Sequence, residues 1–392
     1  MSIILFVHQS AEMYGSDKVL QYLVGELLQR GQYEPVVILP ETGPLHDALI
    51  ADGIEVHIGE VAKISRAVMS PIGLVRLTGR MIKGVGEIDR IIAGRNVAVV
   101  HSNTLAVLSG AIWAARRRIK HLWHVHEIIL SPKLVSKTFP LLVRLLSDRV
   151  MSNSSMTERW LLDEQPSLKA RSGVVFNGLP PAQAPSAEHI AAFRSSVGAS
   201  QNDIVITLAG RINRWKGQEL LIEAATLLHQ RGLVHNLRFV IVGSPAPGLE
   251  NLVTQLQQSV ATAGLSDRFT FIPFVDDIWP VWFGSDIGVV PSTEPEPFGM
   301  VAIEAMAANA PVIAAAHGGL LDIVENNKTG LLFEPKNASS LADAIAQLAL
   351  DEDLRKAMGA AGGDRQRAIF SLESQVTQTE QVYLAIIKQS VQ

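Results

Sequence analysis

The stretch Ile204-Val205-Ile206-Thr207-Leu208-Ala209-Gly210-Arg211, continuing to Lys216-Gly217, decides how the chain is read. A short apolar run ends in glycine and a cation, and a helical pattern over 218–230 follows. That is a buried strand, a loop and a helix, the opening of a βαβ unit. Just upstream, Gly178-Leu179-Pro180-Pro181-Ala182-Gln183-Ala184-Pro185-Ser186 is proline-rich and polar, as a linker between domains is. The βαβ order therefore stops and restarts.

Before the break, runs 3–7, 36–39, 97–100, 122–125 and 174–176 read as buried parallel strands. The stretches 17–30, 72–92, 105–116 and 154–162 read as helices between them. After it, 204–208, 239–242, 269–272, 287–290 and 312–315 are strands; 218–230, 249–263, 301–308 and 341–350 are helices. The last helix, 372–388, has no strand after it and is expected to pack back onto the first domain. The division is a first Rossmann-like domain over 1–178, a linker region over 179–203, a second Rossmann-like domain over 204–371, and a C-terminal helix over 372–392. Doubly wound α/β domains in series bind ligand in the crevice between them, at the carboxyl ends of their strands.

Bulk numbers narrow the class. The 392 residues are 47% hydrophobic and 18% charged, which suits a folded globular protein and not a disordered one. The absence of cysteine excludes disulfides and thiolate metal sites, and a reducing, cytoplasmic setting is the simple reading. No apolar run approaches the roughly 20 residues that span a bilayer. The apolar start lacks a basic leader and a cleavage site, so it reads as a first strand. A net charge of −4 hides a mildly basic stretch over 1–180 and an acidic remainder. A pI near 6.3 argues against a nucleic-acid binder. The basic part suits an anionic membrane surface or a phosphorylated partner.

Two constellations carry chemistry. Gly210-Arg211 and Lys216-Gly217 follow a strand, where α/β folds bind ligands. Arginine offers a fork of donors and lysine a point charge, and both suit a diphosphate. The alternative is a solvated loop with two surface cations. Glu296-Pro297-Phe298-Gly299 opens a helix, so the N–H groups near 298–301 are donors for an anion. Glu304 lies one turn in, within the otherwise apolar Val301-Ala302-Ile303-Glu304-Ala305-Met306, where a lone acid needs a partner. It could accept two hydrogen bonds from a ribose diol. The alternative makes Glu296 a dipole complement and Glu304 an exposed helix residue.

Together these motifs resemble the donor-binding signature of glycosyltransferase family 4, retaining enzymes of the GT-B fold. The resemblance covers nearly the whole chain. It takes in Pro291-Ser292, the Glu296/Glu304 spacing, His317-Gly318-Gly319, Thr329-Gly330-Leu331, and Asn177-Gly178 at the domain joint. It implies a GT-B architecture, with an acceptor-side first domain, a nucleotide-sugar-binding second domain and a cleft between. Arg211 and Lys216 would neutralise the donor diphosphate, Glu304 would hold the ribose, and Glu296 with the backbone of Phe298, Gly299 and Met300 would hold the transferred sugar. Gly243-Ser244 and Phe274-Val275 are the expected surroundings of the base. In the first domain Tyr14-Gly15-Ser16-Asp17 occupies the place of the family's glycine pair, with Gly15 matching the second glycine and Tyr14 departing from the first. His126-Glu127 matches the family's histidine and acid, where the histidine contacts the donor sugar. The implied catalytic set is His126, Arg211, Lys216 and Glu296. The implied donor-binding set is Gly15, Arg211, Lys216, Gly243, Glu296, Phe298, Gly299, Met300 and Glu304.

The resemblance implies a nucleotide-sugar donor, a glycan or lipid-linked saccharide acceptor, no metal and no other cofactor. Family members commonly build cell-surface polysaccharide such as lipopolysaccharide. Two metal readings remain as alternatives: His124 with His126 on one strand face, and Asp351-Glu352-Asp353, which sits where a helix cap is expected. Arg66, Arg76, Arg80 and Lys83, the run Arg116-Arg117-Arg118, and Lys133, Lys137, Arg144 and Arg149 flank apolar faces. They suit peripheral contact with a membrane, or ordinary amphipathic helices. A nucleotide-sugar epimerase and a non-catalytic nucleotide-sugar-binding module are the rival functions.

Overall fold

The computed structural model describes residues 1–63, 71–130 and 132–388. Arg66 lies outside them. The chain forms two compact units, Met1–Pro180 with Leu372–Gln392, and Pro181–Ser371.

The first unit is a parallel sheet of β1 (Ser2–His8), β2 (Tyr33–Leu39), β3 (Glu55–Ile58), β4 (Val97–Asn103), β5 (Lys120–Val125), β6 (Arg149–Ser152) and β7 (Ser172–Val174), in the order β3-β2-β1-β4-β5-β6-β7. Its helices before the break are α1 (Ser16–Arg30), α2 (Pro44–Ala51), α3 (Pro71–Ile92), α4 (Ser109–Arg117), α5 (Lys133–Leu146) and α6 (Ser155–Glu164). Strand β1 is apolar from Ile3 to Val7 because both of its faces are covered. Ile3, Leu5 and Val7 pack with Val85, Ile88 and Trp113 of α3 and α4, while Ile4 and Phe6 pack with Leu20 and Leu23 of α1.

The second unit is a parallel sheet of β8 (Ile204–Ala209), β9 (Leu237–Val242), β10 (Phe269–Ile272), β11 (Ile287–Val290), β12 (Val312–Ala315) and β13 (Gly330–Phe333), in the order β10-β9-β8-β11-β12-β13. Its helices are α7 (Ala187–Ser196), α8 (Gln218–Gln230), α9 (Asn251–Thr262), α10 (Trp279–Phe283), α11 (Met300–Ala307), α12 (Leu320–Ile323), α13 (Ala338–Leu350) and α14 (Glu352–Ile369). The final helix α15 (Leu372–Lys388) returns to the first unit, where Val376, Tyr383 and Ile386 are fully buried beside Phe6 and Leu122. Arg30 of α1 holds it by a 2.9 Å ion pair with Glu380.

Three local differences from the sequence expectation have physical causes. The linker region contains α7, capped by Ser186 and anchored by Phe193 and by Arg194, which pairs with Asp286 at 2.9 Å. The helix expected from 105 starts at Ser109, after Thr104 turns the chain at φ 94° and the Leu105 N–H bonds the Glu127 carboxylate at 3.1 Å. The strand expected over 174–176 sits two residues earlier, at the sheet edge, where it pairs Ser172 to Val174 with β6.

Candidate active site

In the second sheet, β8 has β9 on one side and β11 on the other, so the connections leaving β8 and β11 run in opposite directions. Their loops separate at this switch point and leave a crevice at the strands' carboxyl ends. The two loops, 210–217 and 291–299, are locked together by backbone. The Trp215 carbonyl accepts from the Thr293 N–H at 2.7 Å. A Cβ on Gly217, which lies at φ 81°, would stand 2.0 Å from the Pro291 carbonyl oxygen. Only glycine tolerates that approach and that backbone.

Asn213 shapes the first loop by accepting from the N–H groups of Trp215 and Lys216 at 3.0 and 2.9 Å. The Lys216 ammonium lies over the Trp215 ring and reaches Glu296 Oε1 at 2.6 Å. Ser292 Oγ donates to the same oxygen at 2.6 Å. Glu296 is 4% exposed, so its charge needs these partners. The Ser292 carbonyl in turn accepts from His317 Nε2 at 2.8 Å, which puts the imidazole proton on that nitrogen. The Glu296 backbone is gripped by His317-Gly318-Gly319. The Gly319 N–H donates to its carbonyl at 2.7 Å, and a Cβ on Gly318 would fall 2.3 Å from that oxygen. Gly299, at φ 128°, precedes the first residue of α11, Met300, and Phe298 is buried beside it.

Glu304 lies on α11 with its Oε2 accepting from Trp282 Nε1 at 3.2 Å. That indole, fully buried on α10, is the partner a lone acid in an apolar helix requires. Arg211 is half-buried after β8, and its carbonyl accepts from Gln218. Gly243, after β9, is forced to be glycine because a Cβ would sit 2.0 Å from the Gly210 oxygen. Ser244 links this loop to the next: its carbonyl accepts from Ile212 at 3.1 Å and its hydroxyl accepts from the Phe274 N–H at 3.0 Å. Arg211, Lys216, Gly243, Glu296, Phe298, Gly299, Met300 and Glu304 therefore all belong to one unit and to loops or helix ends after neighbouring strands.

Gly15 and His126 belong to the first unit, where the switch point falls between β1 and β4. Gly15 caps α1 at φ 38°, and its neighbour Tyr14 is not among the residues at positive φ. Asp17 is buried. Its Oδ2 accepts from the Tyr14 N–H at 3.1 Å and its Oδ1 meets His8 Nε2 at 2.6 Å. His8 Nδ1 is 3.0 Å from Asn103 Nδ2, and Asn103 Oδ1 is 2.9 Å from His126 Nε2. His126 stacks on His124 with ring centres 3.9 Å apart, and His124 lies 5.3 Å from His101. His101 Nδ1 bonds the Tyr383 hydroxyl of α15 at 2.6 Å. Burial, reinforced by neighbouring imidazoles, holds His101, His124 and His126 well below the usual histidine pKa, so all three are neutral. Burial raises the Glu127 carboxyl, against the N–H groups of Leu105 and His126 that favour its charge.

Sequence reasoning gave no role to Ser292, Trp282, Asn103, Asp17 or Tyr383. Ser292 and Asp17 lay inside quoted motifs. Trp282, Asn103 and Tyr383 bond partners 22 to 282 positions away, which no local spacing reveals. Among the described residues no three His, Cys, Asp or Glu side chains are grouped to hold a metal ion. Asp351 caps α14 by accepting from the Leu354 N–H at 2.9 Å. Of the basic residues, Arg80 pairs with Glu60 at 2.8 Å and Arg117 with Asp89 at 2.8 Å. Lys137, Leu141 and Leu145 of α5 are exposed, as are Val75, Arg76, Ile82 and Lys83 of α3. No helix among the described residues is long and apolar enough to cross a membrane.

Comparison with known proteins agrees with this layout. The family model "Glycosyltransferase Family 4" matches residues 14–183, and the model "Glycosyl transferases group 1" matches residues 190–365. A D-inositol 3-phosphate glycosyltransferase of Geodermatophilus obscurus is 33% identical over 244 residues, 61% of this chain and 53% of that protein. An uncharacterized glycosyltransferase of Methanocaldococcus jannaschii is 34% identical over 190 residues, 47% of this chain and 46% of that protein. The chain thus spans about half the length of the curated relatives it matches. Among solved structures, HepE of Anabaena in complex with UDP and glucose superposes with a TM-score of 0.84 at 24% identity, covering 98% of this chain and 100% of that one. A glycosyltransferase of Rickettsia africae gives 0.84 at 23% identity, covering 99% of each.

Proposed function

The chain belongs to glycosyltransferase family 4, with the GT-B arrangement of two Rossmann-like sheets, and on that premise we propose that it moves a sugar from a nucleoside diphosphate to a hydroxyl of a glycan or lipid-linked acceptor. The observation that carries the reading is the Lys216–Glu296–Ser292 contact at the second unit's switch point. Both bonds to the carboxylate fall on Oε1, and Oε2 is the acceptor for a hydroxyl of the transferred sugar. Lys216 has two N–H donors beyond the one on Glu296, and with Arg211 it neutralises the diphosphate as negative charge develops there. The N–H groups at the start of α11 add a fixed positive end. Glu304, steadied by Trp282, takes the ribose hydroxyls.

Transfer proceeds on one face of the sugar, with retention. The bond from the anomeric carbon to the diphosphate oxygen breaks, and the acceptor oxygen bonds to the same carbon from the same side. The acceptor proton passes to the departing phosphate oxygen. No metal or other cofactor takes part. His126 contacts the donor sugar near the anomeric carbon. The enzyme works in the cytoplasm and contributes to cell-surface polysaccharide, and the exposed apolar and basic residues of α3 and α5 rest on an anionic membrane face.

Thermal stabilisation of the purified protein by UDP, GDP, ADP and their sugar conjugates, without added metal, tests the donor site. UDP-glucose is the first conjugate to try, since HepE was solved with UDP and glucose. A shift with one base names the donor. Cooperative unfolding with no shift from any nucleotide would sink the assignment.

A further inference from the structure

We propose that Trp215 is a positioning residue for Lys216: together with Glu296, its indole face fixes where the lysine ammonium sits, and it does so without offsetting the charge that the diphosphate needs. The inference rests on the reading of Lys216 as a diphosphate contact for its consequence, but not for its geometry.

Trp215 and Lys216 follow one another in the loop between β8 and α8. The Trp215 backbone is tied on both sides. Its N–H donates to Asn213 Oδ1 at 3.0 Å, and its carbonyl accepts from the Thr293 N–H at 2.7 Å and from Thr293 Oγ1 at 3.3 Å. Asn213 Oδ1 also accepts from the Lys216 N–H at 2.9 Å, and Gly217 then turns the chain into α8 at φ 81°. The half-buried indole therefore stands on a backbone bound to the neighbouring loop over 291–299. The ring is the fixed member of the pair. The lysine, on its flexible four-carbon stem, is the member that must be held.

The Lys216 side chain is 19% exposed, so its ammonium has given up much of its water and needs other partners. Glu296 Oε1 takes one of its three donors at 2.6 Å. The Trp215 ring is the second partner, with its centre 4.5 Å from Nζ, well inside the roughly 6 Å over which a cation and an aromatic face attract. The two partners act differently. Glu296 attracts the ammonium and also offsets its charge. A second carboxylate in the place of the ring would turn the local balance negative and repel a diphosphate. The indole attracts through its quadrupole and carries no formal charge. A quadrupole's field falls off faster with distance than that of a charge, so the ammonium in contact feels the ring while a phosphate beyond it feels mainly the cation. Leucine at 215 would fill part of the same space and attract nothing.

The first test needs no ligand. In the full chain labelled with 13C-lysine, the ring current of an indole face should displace the Lys216 methylene next to the ammonium upfield, with the signal assigned by its loss in Lys216→Gln. It should return to the ordinary lysine position in Trp215→Leu. An undisplaced Lys216 signal in the wild-type protein overturns the contact. The second test is calorimetry with UDP, replaced by GDP or ADP where the thermal screen selects one of these. Trp215→Leu should weaken nucleotide affinity about 3- to 10-fold and Trp215→Phe, which keeps an aromatic face, less than about threefold. In the Lys216→Gln background the same Trp215→Leu change should cost less than about 1.5-fold. An equal loss with and without Lys216 overturns the positioning role, because the ring would then act on the ligand or the loop directly. Should Trp215→Leu not fold, 5,6,7-trifluorotryptophan placed at 215 decides: it keeps the ring's outline and weakens its negative face, so affinity should drop about 3- to 10-fold, and unchanged affinity overturns the proposal. Failure of every nucleotide to bind the wild-type protein would sink the donor-site reading, while the lysine spectrum still judges the contact.

Discussion

At the switch point of the second unit a lysine and a glutamate meet at 2.6 Å, braced by a serine and by glycines pressed against backbone oxygens. At the switch point of the first, between β1 and β4, buried histidines meet an asparagine, and three of the imidazoles are kept neutral by burial. The sheets are built alike, yet one site holds a charged pair and the other holds imidazoles that burial keeps neutral. The difference teaches where each is vulnerable. Removing a partner strands a charge in the second unit. In the first, acid does the damage, because a buried base must charge once it is exposed.

The largest effect should come from the charged site. Lys216→Ala and Glu296→Ala should each lower the rate of sugar transfer by about 100- to 1000-fold, measured as initial rates with saturating acceptor. Near-wild-type rates in both would show that charge is not what the second switch point supplies. The neutral site should reveal itself by pH. His121 is lowered from 6.5 to about 4 by burial, and His101, His124 and His126 are lowered well below 6.5. Below pH 6.5 the unfolded chain takes up protons that the folded chain refuses, so stability is full above 6.5 and is lost as the pH falls. His121 alone contributes about 3 kcal/mol across the window from 6.5 to 4. Glu127, raised by burial, acts in the opposite sense and trims the total. Urea midpoints should hold between pH 7.5 and 6.5 and fall from there to pH 5; a flat profile would break the contrast between the two units.

A smaller loss should follow Gly217→Ala. The added carbon must push aside the Pro291 carbonyl, so the melting temperature and nucleotide affinity should drop together, by about 2 kcal/mol. An unshifted melting curve would mean the loops are not locked as drawn. The smallest should be Trp282→Phe, which removes one hydrogen bond to Glu304. Nucleotide affinity should weaken about five- to tenfold by calorimetry, for the free nucleotide as much as for its sugar conjugate. A loss confined to the conjugate would move Glu304 from the ribose to the sugar.

The repeating alternation of apolar runs and helical stretches made both sheets legible, because parallel strands covered on two faces must be apolar throughout. Short elements were harder. Strand β3 is partly exposed, and α7 hides in a proline- and alanine-rich stretch where Phe193 is the buried anchor. At the candidate site, Gly217 and Gly299 stood out because glycine at a loop-to-helix junction is a local signal. The contact of Lys216 with Glu296, 80 positions on, is a product of strand order, and so is that of Asn103 with His126. Trp282 and Tyr383 carry no local sequence signal, and only the partners of their polar tips mark them.

The first unit is completed from both sides of the second, since α15 closes its sheet after Pro181–Ser371 has intervened. On a ribosome adding about 5 to 20 residues per second, that intervening segment takes about 10 to 40 s to emerge. Throughout that interval Phe6 and His101 lack the cover of Tyr383, and by its end the second unit has every strand it needs while the first still waits for α15. Newly made chains should therefore pass through a species with one finished unit and one unsealed sheet, and that uncovered face is what a nascent-chain chaperone would meet.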